Sequence, residues 1–147
     1  MMTAWKTVTY ASAWGYMESC AAAVIEPGYL VNPWGRMRRF APSKKRDVVA
    51  SMQREAQNFP IQSTVADTCS LAMQRMVEYR AQHNLHFRLV NQIHDAIMLE
   101  VPENEVEQTK TMFVDTMGSI RIPISGREPL QLAVDIEVLT RWGEKVK

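Results

Sequence analysis

The chain has 147 residues, of which 46% are hydrophobic and 22% are charged, and its formal net charge is +1. This length allows one domain with a substantial core and excludes a large multidomain enzyme. No apolar run approaches the roughly 20 residues of a membrane span and no signal-peptide pattern opens the chain, so no membrane contact is expected. The two cysteines, Cys20 and Cys69, share no metal-like spacing, and we expect buried thiols in the reducing cytoplasm.

The near-neutral net charge hides a strong asymmetry along the chain. Residues 36–54 contain seven basic side chains against Asp47 alone, and residues 95–118 contain six acidic side chains against Lys110 alone. A basic block on a near-neutral chain is compatible with contact with a polyanion, but on charge alone a solvated loop explains it at least as well.

The first 47 residues predict one helix and one small hairpin. The helix must end before the strong breaker Glu26-Pro27-Gly28, and its Trp5 and Trp14 need burial partners, which another subunit could supply. The second strand of the hairpin is cationic. The predicted elements are the helix 3–26, the strand 29–31, the turn 32–35, the strand 36–40 and the loop 41–47.

Two helices are predicted over residues 48–82, with a break forced by Pro60, which lacks an amide hydrogen. The first covers residues 48–58. The second, 62–82, has apolar positions at spacings of three and four, typical of an amphipathic helix that packs on a sheet. Its methionines are expected to fill the core rather than to form a binding surface.

The stretch Phe87–Val101 places two apolar runs on either side of His94-Asp95, which predicts a tight β-hairpin. Such a turn favours positive φ, which His and Asp tolerate better than most residues but at some cost. A carboxylate at this tip suggests a metal ligand, while an ordinary turn Asp is the alternative that the hairpin alone favours.

The last third predicts a helix over 103–118, opened by Pro102, and a half-buried strand over 130–138. Asp135 and Glu137 alternate with apolar residues in that strand and are assigned to solvent rather than to a metal. The sum is an α+β fold in a single domain, residues 1–147. It has a small three-stranded antiparallel sheet backed by helices, preceded by the N-terminal helix and the basic hairpin.

Four separated segments then match one family in order and spacing. They are Gly28-Tyr29-Leu30 with Gly35–Phe40, the run Arg54–Asp67, the tetrad Gln92-Ile93-His94-Asp95, and the closing Val134–Val138 with Trp142 and Lys145. All four resemble segments of family A (polymerase I-like) DNA polymerases. The first resembles that family's Gly-Tyr-Val and Gly-Arg-Arg-Arg-Tyr segment, and the second resembles its Arg-x-x-x-Asn-x-Pro-Ile/Val-Gln-Gly-Thr-Ala-Ala-Asp motif. The third resembles palm motif C (Gln-Val-His-Asp-Glu), and the fourth resembles the C-terminal strand. Each match alone is weak, but four in register resemble a C-terminal palm segment.

The resemblance implies that residues 3–47 join the fingers to the palm and that residues 48–147 belong to the palm. Asp95 would be one of the carboxylates that bind two Mg²⁺ ions, which activate the primer 3′-hydroxyl and stabilise the leaving pyrophosphate. His94 would lie beside the primer terminus.

The resemblance also implies six DNA-binding residues. The first set occurs at spacings of four and would face the minor groove at the primer end, where every correct base pair presents acceptors at similar places. It comprises Arg54, Asn58 and Gln62. Helix capping near Pro60 is the alternative for Asn58 and Gln62. The second set lies in the basic hairpin and would bind phosphates. It comprises Arg36, Arg38 and Arg39.

Three departures from the family pattern matter. Ala96 stands where motif C has Glu, which we expect to weaken or redistribute metal binding without abolishing it, and Ser63 replaces a Gly. Motif A, with the other metal-binding Asp, and the fingers helix that binds the incoming nucleotide have no counterpart in the chain.

One carboxylate cannot hold a two-metal site, so the chain is expected to be inactive alone. We expect a second polypeptide carrying motif A and the fingers to complete it, as in a split phage-type replication polymerase that acts on primer-template DNA and dNTPs in the host cytoplasm. Two alternatives stay open: a non-catalytic duplex-DNA-binding palm remnant, and a fragment of a single-subunit RNA polymerase, against which the Asn58 and Gln62 pattern argues.

Overall fold

The structure, a computed structural model, describes residues 8–141 and 143–145. It has an α+β fold, as predicted, and divides into two compact units, one ending at Val65 and the other beginning at Ala66. The predicted division of the chain after residue 47 stays a prediction. In chain order the elements are α1 (Ala11–Ala22), β1 (Tyr29–Val31), β2 (Met37–Arg39), α2 (Arg46–His83), β3 (Arg88–Ile93), β4 (Ala96–Glu100), a 3₁₀ turn (Glu103–Glu105), α3 (Val106–Ser119), β5 (Leu139–Arg141) and β6 (Glu144–Lys145).

The first unit contains α1, the predicted hairpin and the first part of α2. Strands β1 and β2 are antiparallel, with Tyr29 opposite Arg39. Val24, Phe40 and Ala56 form the buried core of this unit. Trp14 is half-buried and donates its indole N–H to Glu18 at 2.8 Å, while Trp5 lies outside the described residues.

Helix α2 continues through Pro60, so the predicted break there is wrong. Ala56, Pro60 and Thr64 are all buried, and their spacing of four places them along one side of the helix. The Thr64 hydroxyl also donates to the Pro60 carbonyl. Packing of this face on both sides of the proline therefore offsets the roughly 3 kcal/mol that an interior proline costs a helix.

The second unit contains the rest of α2, the β3–β4 hairpin and α3. Met76 and Phe87 are fully buried, so Met76 fills the core as predicted. The guanidinium of Arg80 donates to the Phe87 carbonyl at 3.1 Å and lies 5.7 Å from the centre of the Phe87 ring. The predicted helix after Pro102 is confirmed as the 3₁₀ turn and α3.

The predicted third strand of the sheet is wrong in detail. Each sheet within the described residues has two strands, and of the segment 130–138 only Leu130 forms a backbone bridge, to Ile122. The segment still alternates between exposed and half-buried side chains, with Asp135 and Glu137 exposed as predicted. An apolar pattern with a period of two indicates which side chains face a core. It does not by itself determine whether the backbone forms hydrogen bonds with a neighbouring strand.

A cavity of about 200 Å³ lies between β4, α3 and the end of this segment. Ile97 and Leu99 of β4 line one wall, residues 135–139 line another, and Phe113 of α3 also contributes. The side chains of the segment therefore pack near β4 without a backbone ladder to it. Within the described part of the chain, no helix is both long and apolar enough to cross a membrane.

Candidate functional site

The predicted His94-Asp95 tip is confirmed as a two-residue turn between β3 and β4. Ile93 and Ala96 face each other across the ladder, and both tip residues are exposed. His94 has a φ of +55°, a conformation that non-glycine residues adopt at some energetic cost. The hairpin therefore presents the imidazole and the carboxylate together at a solvent-facing tip.

Two side chains bind the backbone of this tip. The Sγ of Cys69, in α2, lies 3.6 Å from the carbonyl oxygen of Asp95 and donates to it. Gln92 donates its side-chain N–H to the carbonyl of His94 at 3.3 Å. The peptide carbonyls of both tip residues are thus bound within the protein, while the Asp95 side chain is left to solvent.

Burial raises the pKa of the Cys69 thiol, and the negative charge of the Asp95 carboxylate raises it further. A raised thiol pKa keeps the sulfur protonated at neutral pH. Cys69 is therefore a hydrogen-bond donor toward the tip rather than a thiolate. Both cysteines are buried free thiols, as the sequence predicted.

The hairpin tip carries one carboxylate, and the structure assembles no metal-binding cluster around it in the part of the chain that it describes. Among residues 8–141 and 143–145, no group of three or more His, Cys, Asp or Glu side chains could hold a metal ion. Ala96 offers only a methyl group beside Asp95, and Glu100, further along β4, pairs with Arg88 at 2.7 Å. A carboxylate at such a tip could serve as one oxygen ligand to Mg²⁺.

Arg54, Asn58 and Gln62 lie on one exposed side of α2, within the first unit. An α-helix turns about 100° per residue, so this side is opposite the buried side that contains Ala56 and Pro60. The capping alternative for Asn58 and Gln62 is wrong, because α2 runs on beyond both residues. The sequence therefore brings these three polar side chains to the same accessible face, as the spacing of four predicted.

The three arginines of the basic hairpin are exposed on or next to β2. Arg38 forms an ion pair with Glu55 of α2 and lies 5.8 Å from the centre of the Phe40 ring. Arg39 donates to the sulfur of Met37 at 3.5 Å. An exposed ion pair contributes only about 0–1 kcal/mol, so little free energy is lost when Arg38 leaves Glu55.

Sequence reasoning missed the residue that anchors this hairpin. Asn32 is buried, and its Oδ1 accepts from the backbone N–H groups of Trp34 at 3.0 Å and Arg36 at 2.9 Å. Its Nδ2 donates to the hydroxyl of Ser63 at 3.0 Å. The Asn-Pro-x-Gly pattern predicted the turn over residues 32–35, but it gave no sign that the Asn32 side chain is buried. No local signal pointed to Ser63, which is 31 positions away.

The predicted site residues fall into two groups. His94 and Asp95 lie together in the second unit. The other six lie in the first unit, three on α2 and three in the hairpin that Asn32 links to α2. All eight side chains are exposed.

A solved structure with a similar fold is the POL domain of Pol1 from M. smegmatis in complex with DNA primer-template and dNTP. The similarity has a TM-score of 0.67 at 28% sequence identity and covers 71% of this chain and 19% of that chain. The fold and the hairpin together thus define the class as a polymerase segment.

The family model for DNA polymerase family A matches residues 4–146, and the chain belongs to this family, which confirms the resemblance of the four motifs. It is 38% identical over 129 residues to DNA polymerase I A, chloroplastic/mitochondrial, of Arabidopsis thaliana, covering 86% of this chain and 12% of the relative. It is 34% identical over 133 residues to DNA polymerase I of Chloroflexus aurantiacus, covering 88% of this chain and 13% of the relative. The chain thus spans about an eighth of the length of these curated relatives.

Proposed function

We propose that this chain is the C-terminal palm portion of a template-directed DNA polymerase. Asp95 binds a catalytic Mg²⁺ ion and His94 lies beside the primer terminus. The observation that supports this most directly is the exposed Asp95 carboxylate at the tip of a tight hairpin, in a chain that matches the family model over residues 4–146. A carboxylate at a fixed position is what a two-metal nucleotidyl transfer requires of its protein ligands.

The chain contributes one ligand and a positioned backbone to this reaction. Mg²⁺ at Asp95 would supply electrostatic stabilisation of the charge that develops on the transferring phosphate. His94, held at positive φ next to Asp95, would orient the primer end through its side chain. Both residues would act by position, because phosphoryl transfer depends mainly on alignment and on charge.

The DNA interface of the proposed polymerase comprises the six residues of the first unit. Arg54, Asn58 and Gln62 would donate hydrogen bonds to minor-groove acceptors of the primer-terminal duplex. The three arginines of the basic hairpin would neutralise phosphates, in an attraction that does not depend on sequence. Support comes from the exposure of all six side chains and from the similar M. smegmatis domain, which is complexed with primer-template and dNTP.

We infer that a second polypeptide completes the active site with motif A and the fingers, and that this chain alone is inactive. The single carboxylate at the tip supports this arrangement. Apolar side chains exposed on α1 and just before it, including Val8 and Tyr16, suit an interface with that partner. A split replication polymerase of phage type, working in the host cytoplasm, is the setting we propose.

A non-catalytic duplex-binding palm remnant is the second candidate. The observation that favours it is Ala96, which leaves motif C with one carboxylate. In that case the basic hairpin would be required for binding and Asp95 would be dispensable.

Primer extension with Mg²⁺ and dNTPs distinguishes the two candidates. The reactions contain this chain alone, its co-purified partner alone, both together, and both with Asp95→Asn. A matched control replaces Asp115, an exposed carboxylate of α3, by Asn. Extension only with both chains, lost in Asp95→Asn and kept in Asp115→Asn, supports the polymerase. Salt-sensitive duplex binding without extension in any mixture supports the remnant.

A further inference from the structure

We propose that Cys69 is a positioning residue for the hairpin tip, and that its thiol sets the direction of the Asp95 carboxylate by binding the Asp95 peptide. This inference rests on the proposed function only in taking Asp95 as a metal ligand. The contact itself is a property of the fold.

The contact joins two elements that are far apart in sequence. Cys69 lies in α2 and Asp95 lies at the tip of the β3–β4 hairpin, with 26 positions between them. Cys69 is 2% exposed, so the donor side of this contact is shielded from bulk water. Its hydrogen bond to the Asp95 carbonyl therefore fixes the tip to a helix rather than only to the two strands.

The tip needs such a fixation because its backbone is strained. His94 has positive φ, and a turn of this kind relaxes when its neighbours allow it to. Gln92 binds the His94 carbonyl at 3.3 Å from within the hairpin, so it moves together with the tip. Cys69 donates to the tip from outside the hairpin and thus limits the rotation of the Asp95 peptide.

The size of the side chain also matters. A thiol donates weakly, and Cys69 is also a buried side chain whose packing can act beside its hydrogen bond. Losing the donor removes the hydrogen bond, and it also leaves a carbonyl without its internal partner. We expect the effect to be local to the tip.

Two substitutions separate hydrogen bonding from packing. Cys69→Ala and Cys69→Ser have similar side-chain volumes, but only Ser keeps a donor. Cys20, the other buried free thiol, lies in the first unit and has the same 2% exposure, so Cys20→Ala is the matched control. All variants are made in the full chain.

The first measurement is backbone amide hydrogen exchange by NMR, comparing Asp95 and Ala96 with the buried Met112 of α3 as an internal reference. In Cys69→Ala we expect exchange at the tip to be about threefold to tenfold faster while Met112 is unchanged, since one hydrogen bond is lost. Cys69→Ser is expected to restore most of the protection, and Cys20→Ala to leave the tip unchanged. Equal exchange in wild type and Cys69→Ala would overturn the proposal, as would an equal change at Met112, which indicates general packing alone.

The second measurement is paramagnetic broadening of the tip resonances by Mn²⁺, with each variant titrated under the same conditions. We expect Cys69→Ala to need about threefold more Mn²⁺ than wild type for equal broadening at Asp95, and Cys69→Ser to recover. Unchanged titrations in Cys69→Ala would contradict the positioning role. Absence of broadening at Asp95 in wild type would instead contradict the metal-ligand role of Asp95, and the exchange experiment would still decide the role of Cys69.

Discussion

The side-chain amide of Asn32 donates to the hydroxyl of Ser63 at 3.0 Å and links the turn before β2 to helix α2. The same Asn32 accepts two backbone N–H groups of that turn, one of them from Arg36. The arginines that we propose as phosphate contacts are therefore carried by a hairpin with a buried polar anchor. Ser63 occupies the position at which the resembling motif has Gly, so this chain uses a hydroxyl where the family pattern has no side chain.

Removing the Asn32 anchor should destabilise the first unit. Asn32→Ala removes three hydrogen bonds in a buried site, and we expect the free energy of unfolding to fall by about 1–3 kcal/mol. Ser63→Ala removes one of them and should lower it by about 1 kcal/mol. Urea denaturation of the full chain measures both values. Ser70→Ala, on the exposed side of α2, is the control. If it lowers the free energy of unfolding as much as Ser63→Ala does, the prediction is contradicted.

Overpacking the core of the first unit should destabilise it more than the same change elsewhere on α2. Ala56 is fully buried against Val24 and Phe40, so Ala56→Leu has no space for three added carbons and should lower the free energy of unfolding by about 1–3 kcal/mol. Ala66→Leu makes the same change at an exposed position of the same helix and should have little effect. Equal denaturation midpoints for the two variants would show that α2 does not pack as described.

The pKa of Glu105 lies below its ordinary 4.5, because the backbone N–H of His86 and then its ring donate to the carboxylate. A depressed pKa in the folded state means that this contact stabilises the protein above pH 4.5 and that the contribution is lost as pH falls through the folded-state pKa. Glu105→Gln should therefore lower the denaturation midpoint at neutral pH. At about pH 3 the difference from wild type should shrink.

Glu103→Gln provides the comparison for that experiment, since Glu103 is an exposed neighbour in the same 3₁₀ turn. Its midpoint should follow that of wild type at both pH values. If Glu105→Gln lowers the denaturation midpoint by the same amount at neutral and acid pH, the hydrogen bonds from His86 do not stabilise the ionised form of the Glu105 carboxylate.

The basic hairpin should determine the salt dependence of DNA binding. Replacing Arg36, Arg38 and Arg39 by Gln removes three potential phosphate contacts, so the slope of log K against log salt should decrease in magnitude by about 2–3. Fluorescence anisotropy on a primed duplex at several salt concentrations measures this slope. Arg127→Gln, an exposed arginine of the second unit, should leave the slope unchanged. An unchanged slope in the triple variant would exclude these arginines as phosphate contacts.

The exposed pair between Arg38 and Glu55 makes a related prediction. Glu55→Gln removes the carboxylate that competes with phosphate for the Arg38 guanidinium. Duplex affinity should rise by about twofold to fivefold, in line with the small contribution of exposed ion pairs. Anisotropy titrations at low salt provide the measurement, and weaker binding by Glu55→Gln would contradict the prediction.

Features that depend on local pattern could be predicted from the sequence alone. Two apolar runs around His94-Asp95 were enough to predict the β3–β4 hairpin and its tip, because a two-residue turn and the strand period are local properties. The spacing of four among Arg54, Asn58 and Gln62 was enough to place them on one face. The order of four short motifs was enough to indicate the polymerase family, which the family model confirms over residues 4–146.

Features that depend on distant partners became visible only in the folded chain. Pro60 stays inside α2 because buried contacts on both sides of it offset the lost backbone hydrogen bond. Residues 131–138 keep an alternating burial pattern but form no ladder with β4, because side-chain burial and backbone pairing are separate requirements. Ser63 and Cys69 gain their roles from residues 31 and 26 positions away, at distances in sequence where no periodicity or turn chemistry can signal a contact.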